Sequence, residues 1–102
     1  MKYKIEILPS AWNDFKKLEG YFVLQFGEKR ALEILNHILD VIERLGDHPH
    51  SGSDTPDAWL NERGYRMIII HEKCIAIYRM VDDVVYIYHI ADTRSEYTKL
   101  FY

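Results

Sequence analysis

Gly64-Tyr65-Arg66-Met67-Ile68-Ile69-Ile70, Ile75-Ala76-Ile77-Tyr78-Arg79 and Val84-Val85-Tyr86-Ile87-Tyr88-His89-Ile90 are three apolar and aromatic runs in close succession. β-Branched and aromatic residues in runs of this length favour strands. Only Glu72-Lys73 and Asp82-Asp83 stand as turn positions between them. Connections that short force an antiparallel meander. The tail from Thr93 to Phe101 reads as a short terminal helix or an extended arm.

Upstream, Tyr3, Ile5 and Ile7 alternate with Lys2, Lys4 and Glu6, the period of a half-buried strand. Pro9 and Ser10 then mark a helix start, with proline suited to a first turn and serine to a cap. Ala11, Phe15, Leu18, Phe22 and Phe26 form the apolar stripe of that helix, which Gly20 is expected to fray or bend before Gly27 turns the chain. A second helix starts near Glu28, carries Ala31, Leu35, Ile38, Ile42 and Leu45 on one stripe, and ends at Gly46. The short break between the helices predicts an antiparallel hairpin. Residues 47 to 64, with Pro49, Gly52 and Pro56, read as an ordered surface loop pinned by Trp59 and Leu60. The expected fold is α+β, in the order β-α-α-β-β-β, with a mainly antiparallel sheet packed against a helical hairpin. Residues 1–102 are expected to form one domain.

At 102 residues and 48% hydrophobic, the chain can bury one core. It has no apolar run long enough to span a membrane. Its amino terminus enters an alternating segment rather than a secretory block, and its single cysteine, Cys74, fits a reducing cytoplasm. Inside a strand, Cys74 reads as a small buried hydrophobe. A net charge of -3 argues against a general electrostatic grip on nucleic acid, so any such contact needs a local basic patch. Asp47-His48-Pro49-His50 is an incomplete ligand set for zinc and reads as solvated loop. His37 falls off the apolar stripe of its helix and reads as surface polar. No metal, cofactor or small-molecule partner is expected.

The order of short elements resembles the RelE/ParE superfamily of bacterial type II toxins. The resemblance runs along nearly the whole chain: Pro9-Ser10-Ala11, Ile42-Glu43-Arg44-Leu45, Pro49-His50-Ser51-Gly52, Leu60, Gly64-Tyr65-Arg66, Ile77-Tyr78-Arg79, Val85-Tyr86-Ile87, Arg94 and Tyr97. Each motif is at most four residues, and the order and spacing carry the likeness. It implies a growth-inhibiting toxin held inactive by a cognate antitoxin. RelE-like members cut messenger RNA on the ribosome without a metal, whereas ParE-like members inhibit DNA gyrase. Ribosome-associated mRNA cleavage is the first expectation and gyrase inhibition the alternative. A degenerate member that only binds its antitoxin is the third.

Metal-free RNA cleavage needs a base for the 2′-hydroxyl, cations for the crowded phosphate and an acid for the leaving oxygen. Carried over from the resemblance, Arg66 and Arg94 are candidate phosphate stabilisers and Tyr97 a stacking or proton-transfer group. His89 is an added acid or base, since histidine titrates near neutrality. Bland alternatives stand beside each. Arg66 and Arg79 can pair with Asp54, Asp57 or Glu62, His89 can be a hydrogen-bonding strand residue, and Tyr97 can cap the core. The approach to Gly64, Asp57-Ala58-Trp59-Leu60-Asn61-Glu62-Arg63, holds one cation and two acids where the best-known RelE-like toxins carry lysines. Each absent phosphate contact weakens RNA binding. Tyr21, Val23 and Leu24 on the hairpin are candidates for core or for an antitoxin groove.

Overall fold

The computed structural model describes residues 2–71, 74–92 and 101. Its elements are β1 (Lys4–Ile7), α1 (Pro9–Phe26), α2 (Glu28–Arg44), β2 (Ser53–Asp54), α3 (Ala58–Glu62), β3 (Arg66–His71), β4 (Cys74–Val81) and β5 (Val84–Asp92). The sheet order is β1-β5-β4-β3-β2, antiparallel except where β1 runs parallel to β5. The helical hairpin covers one face, as the sequence predicts. The turn expected at Glu72-Lys73 lies outside the described residues. The one at Asp82-Asp83 is present, with Asp82 at φ 56°.

The stripe of α2 is fully used: Ala31, Ile34, Leu35, Ile38, Ile42 and Leu45 are all buried, against Ile70, Ala76, Tyr78, Val85 and Ile87 of the sheet. Two local expectations need correction. Gly20 does not interrupt α1, which runs unbroken from Pro9 to Phe26. A single glycine costs only about 1 kcal/mol in a helix, and packing of Phe22 and Leu18 outweighs it. Ser10 is not the cap, because Leu8 holds that position; the Ser10 hydroxyl instead donates to the Tyr88 carbonyl at 2.6 Å.

That bond belongs to a larger device. β1 stops at Ile7, which pairs with Ile87, so β5 runs on past the strand beside it. An uncovered strand edge leaves backbone donors and acceptors to be satisfied. Leu8 donates its N–H to Ile87, Ser10 reaches Tyr88, and the Asp14 carboxylate accepts from the Ile90 N–H at 3.1 Å. The first turns of α1 thus complete a strand edge with side chains.

The 47–64 segment is ordered, as expected, but holds β2 and α3. Asp57 caps α3 by accepting from Leu60 N–H at 3.0 Å, and Leu60 is fully buried. The loop ahead of it is tied to β4: the Tyr78 hydroxyl donates to Pro49 O at 2.8 Å and accepts from Gly52 N–H at 3.2 Å. Among the described residues, no helix is long and apolar enough to cross a membrane.

Candidate functional site

Parity along the strands separates the candidate residues. Tyr78, Ala76, Val85, Ile87 and Ile90 point to the helices, while Ile75, Ile77 and Ala91 point to the helix-free face with Tyr65, Met67 and Phe101. Arg66 pairs with Tyr78 in the ladder and so lies on the helix side. There its guanidinium is committed to the loop, donating to Gly52 O at 2.7 Å, His50 O at 3.2 Å and Asp54 Oδ1 at 3.1 Å. The carboxylate pairing offered by the sequence is the arrangement found, through Asp54. Arg94 and Tyr97 lie outside the described residues.

His89 is on the other side. It pairs with Ile77, and the ladder shifts between Ile77 and Tyr78, where Ile87 is the next partner. Tyr88 is therefore the extra residue of a bulge. The bulge lets Tyr88 and His89 share the helix-free face instead of alternating. His89 Nδ1 lies 2.7 Å from Asp14 Oδ2, each side chain only 15% exposed. The ring meets Phe101 edge-on, with centroids 4.9 Å apart. No described group bonds its Nε2.

Arg79 completes this face, and the sequence did not single it out as a site residue. Its guanidinium lies 5.4 Å from the Tyr65 ring and 5.7 Å from the Tyr88 ring, and Nη1 reaches Arg63 O only at a long 3.4 Å. Its Nε is buried with no partner among the described residues. Tyr65 joins Arg79 to the rest, packing on Tyr88 at 5.0 Å and on Phe101 at 4.9 Å. Burial pushes the Tyr65 hydroxyl up, the neighbouring Tyr88 adds to this, and Arg79 and Arg63 pull it partly back. Tyr65 is thus a hydrogen-bond donor at neutral pH rather than a base. The face carries a cation over aromatic rings, a phenol and a carboxylate-held imidazole.

The loop histidines do not join it. His48 and His50 are exposed, and His37, exposed on α2, places Nε2 2.9 Å from Ile70 O at the edge of the sheet. Among the described residues no three metal-ligating side chains cluster. Cys74 is 1% exposed, as a small core residue should be, and burial pushes its thiol up to about 11.

A family model described as the ParE toxin of type II toxin–antitoxin systems, parDE, matches residues 5–97. No curated protein matches the chain by sequence. Among solved structures, the chromosomal ParDE toxin–antitoxin system of P. aeruginosa superimposes with a TM-score of 0.76 at 16% identity, over 89% of this chain and 96% of that one. The Mycobacterium tuberculosis RelBE2 complex gives 0.66 at 17% identity, over 90% and 99%. The E. coli DinJ–YafQ complex gives 0.61 at 15% identity, over 100% of both chains. These likenesses share the fold of one sheet under a helical hairpin. The chain belongs to the ParE toxin family of type II toxin–antitoxin systems, within the RelE/ParE superfamily.

Proposed function

We propose that this toxin arrests growth by ribosome-associated, metal-free cleavage of messenger RNA, and that a cognate antitoxin holds it inactive. The observation that carries the reading is His89, tied at 2.7 Å to Asp14 on the same helix-free face as Arg79. A base for a 2′-hydroxyl and a cation for the scissile phosphate are the two groups such a reaction needs first. Attack of the 2′-oxygen on phosphorus breaks the bond to the 5′-oxygen, whose proton comes from an acid. His89 takes the 2′-hydroxyl proton, and Arg79 stabilises the charge that builds on the phosphoryl oxygens. Tyr65, a phenol at neutral pH, has the chemistry of the acid. Arg94 and Tyr97 keep the roles the family resemblance gives them, a second cation and a stacking or proton-transfer group. Arg66 leaves the site, because it points to the helix side and both its Nη atoms are held by Gly52, His50 and Asp54.

A second reading, inhibition of DNA gyrase by protein contact, is favoured by the ParE family match and by the poverty of cations. Arg79 is half-buried between tyrosines, and the 57–62 approach carries Asp57 and Glu62. The antitoxin half of the proposal is common to both readings. The RelBE2 and DinJ–YafQ structures are toxin–antitoxin complexes, and the apolar side chains exposed on the hairpin suit such a partner.

The deciding experiment is induced expression with primer extension on cellular messages, beside a gyrase supercoiling assay. Cuts that appear with the wild type and vanish with His89→Gln and Arg79→Ala are the expected result. Intact messages with blocked supercoiling overturn the RNA reading and establish the second.

A further inference from the structure

We propose that Asp14, on α1, is the positioning residue of the site: it fixes the tautomer and ring orientation of His89 so that Nε2 faces the reaction. This rests on the RNA-cleavage reading above for its consequence but not for its geometry.

Asp14 Oδ2 receives two bonds, from the Ile90 N–H at 3.1 Å and at His89 Nδ1 at 2.7 Å. The first locks the carboxylate to the backbone one residue beyond the histidine. The second then places the proton of the neutral ring. A carboxylate oxygen only accepts, so Nδ1 must be the nitrogen that carries hydrogen, and Nε2 is left with its lone pair. Phe101, edge-on to the ring at 4.9 Å, opposes rotation. Both partners of the pair are 15% exposed, so solvent competes weakly for it. A carboxylate on the second nitrogen fixes which ring nitrogen is free, and its loss costs activity by admitting the wrong tautomer. Asp14 touches no substrate in this scheme, and acts through His89.

The arrangement also uses the fold economically. The uncovered edge of β5 requires an acceptor for the Ile90 N–H, and the bulge at Tyr88 turns His89 toward the same oxygen. A single side chain on α1 thus serves backbone and imidazole together.

The test is 15N NMR of the histidine rings in the purified protein, run with message cleavage for Asp14→Ala, His89→Gln and the double variant. In the wild type, His89 is expected as the Nδ1–H tautomer with an unprotonated Nε2. Asp14→Ala removes the acceptor, so the preference for Nδ1–H should be lost and Nε2–H should appear. Asp14→Asn, whose amide oxygen can accept both bonds that Oδ2 accepts, should keep Nδ1–H. Cleavage should fall about 100-fold in Asp14→Ala and in His89→Gln, the scale of one acid–base group, with no further loss in the double. Ser10→Ala, which removes another α1–β5 bond without touching the pair, controls for loosened docking and should cleave normally. A wild-type His89 carrying its proton on Nε2, or an Asp14→Ala protein with unchanged ring signals and unchanged cleavage, overturns the assignment. If the wild type cuts no message while the Nδ1–H signature is present and lost in Asp14→Ala, the RNA reading fails and the positioning stands.

Discussion

Arg66 and Arg79 are the same residue type on adjacent strands, and only the direction of the side chain separates them. Arg66 closes a loop, so Arg66→Ala should lower stability by about 1–2 kcal/mol, most of it from the part-buried carbonyl at Gly52 rather than from the exposed His50 and Asp54 contacts. Thermal melting checks this. Arg79→Ala, by contrast, should leave a folded protein that no longer arrests growth. Cys74 gives a pH prediction. Its thiol ionises near 9.0 when unfolded and at about 11 when folded, so the folded state keeps the proton longer. The stability this provides is fully present below pH 9 and drains away as pH rises from 9 to about 11. A Cys74→Ala protein should show a flatter loss of stability across that interval in denaturant titrations. The wild-type thiol should resist alkylation at pH 8 until the chain unfolds.

At the level of elements, the sequence was most readable where burial follows a period. The stripe of α2 and the three-strand meander could be taken directly from spacing, because each buries a continuous face. The faces of β3 could not. Met67-Ile68-Ile69-Ile70 is apolar on both sides, so no alternation revealed that Tyr65 and Arg66 point apart. The bulge at Tyr88 was equally hidden, since it depends on the register against Ile77 and Tyr78 rather than on any local signal. Asp14 had no mark in the sequence either, as its role arises where β1 ends and β5 continues. Gly20 was read as a weak point, and the helix tolerates it. An added Cβ there meets nothing within 4 Å, so Gly20→Ala should stabilise the protein by about 0.5–1 kcal/mol, seen as a higher melting temperature with unchanged toxicity. Gly52 is the opposite case: a Cβ would come within 2.5 Å of Met67 O and 2.6 Å of the Tyr78 hydroxyl. Gly52→Ala must therefore push the 49–54 loop off β4 and break the Tyr78 bonds with it.

For the molecule as a whole, the two faces of the sheet divide the labour. The helix-free face carries Arg79, Tyr65 and His89 among apolar neighbours, and the hairpin carries apolar surface that its own core leaves outside. Leu24 is 86% exposed, Leu32 59% and Phe26 51%, all within five residues of the turn at Gly27. Phe26 was expected on the core stripe of α1 and is half exposed instead, its ring centroid 6.2 Å from that of buried Phe22. This apolar surface at the end of the hairpin, with Tyr21 and Val23 also exposed, is a candidate site for a protein partner. An antitoxin segment laid over the hairpin tip would cover it and leave the His89 face to be blocked by other contacts or by displacement of the target. Because Leu24 and Leu32 contribute little to the core, replacing them should not unfold the toxin. Leu24→Asp with Leu32→Asp should thus melt within a few degrees of the wild type and still arrest growth when expressed alone. Co-expressed antitoxin should rescue growth from the wild type and fail against the double variant. Full rescue of the double variant would place the antitoxin elsewhere on the molecule.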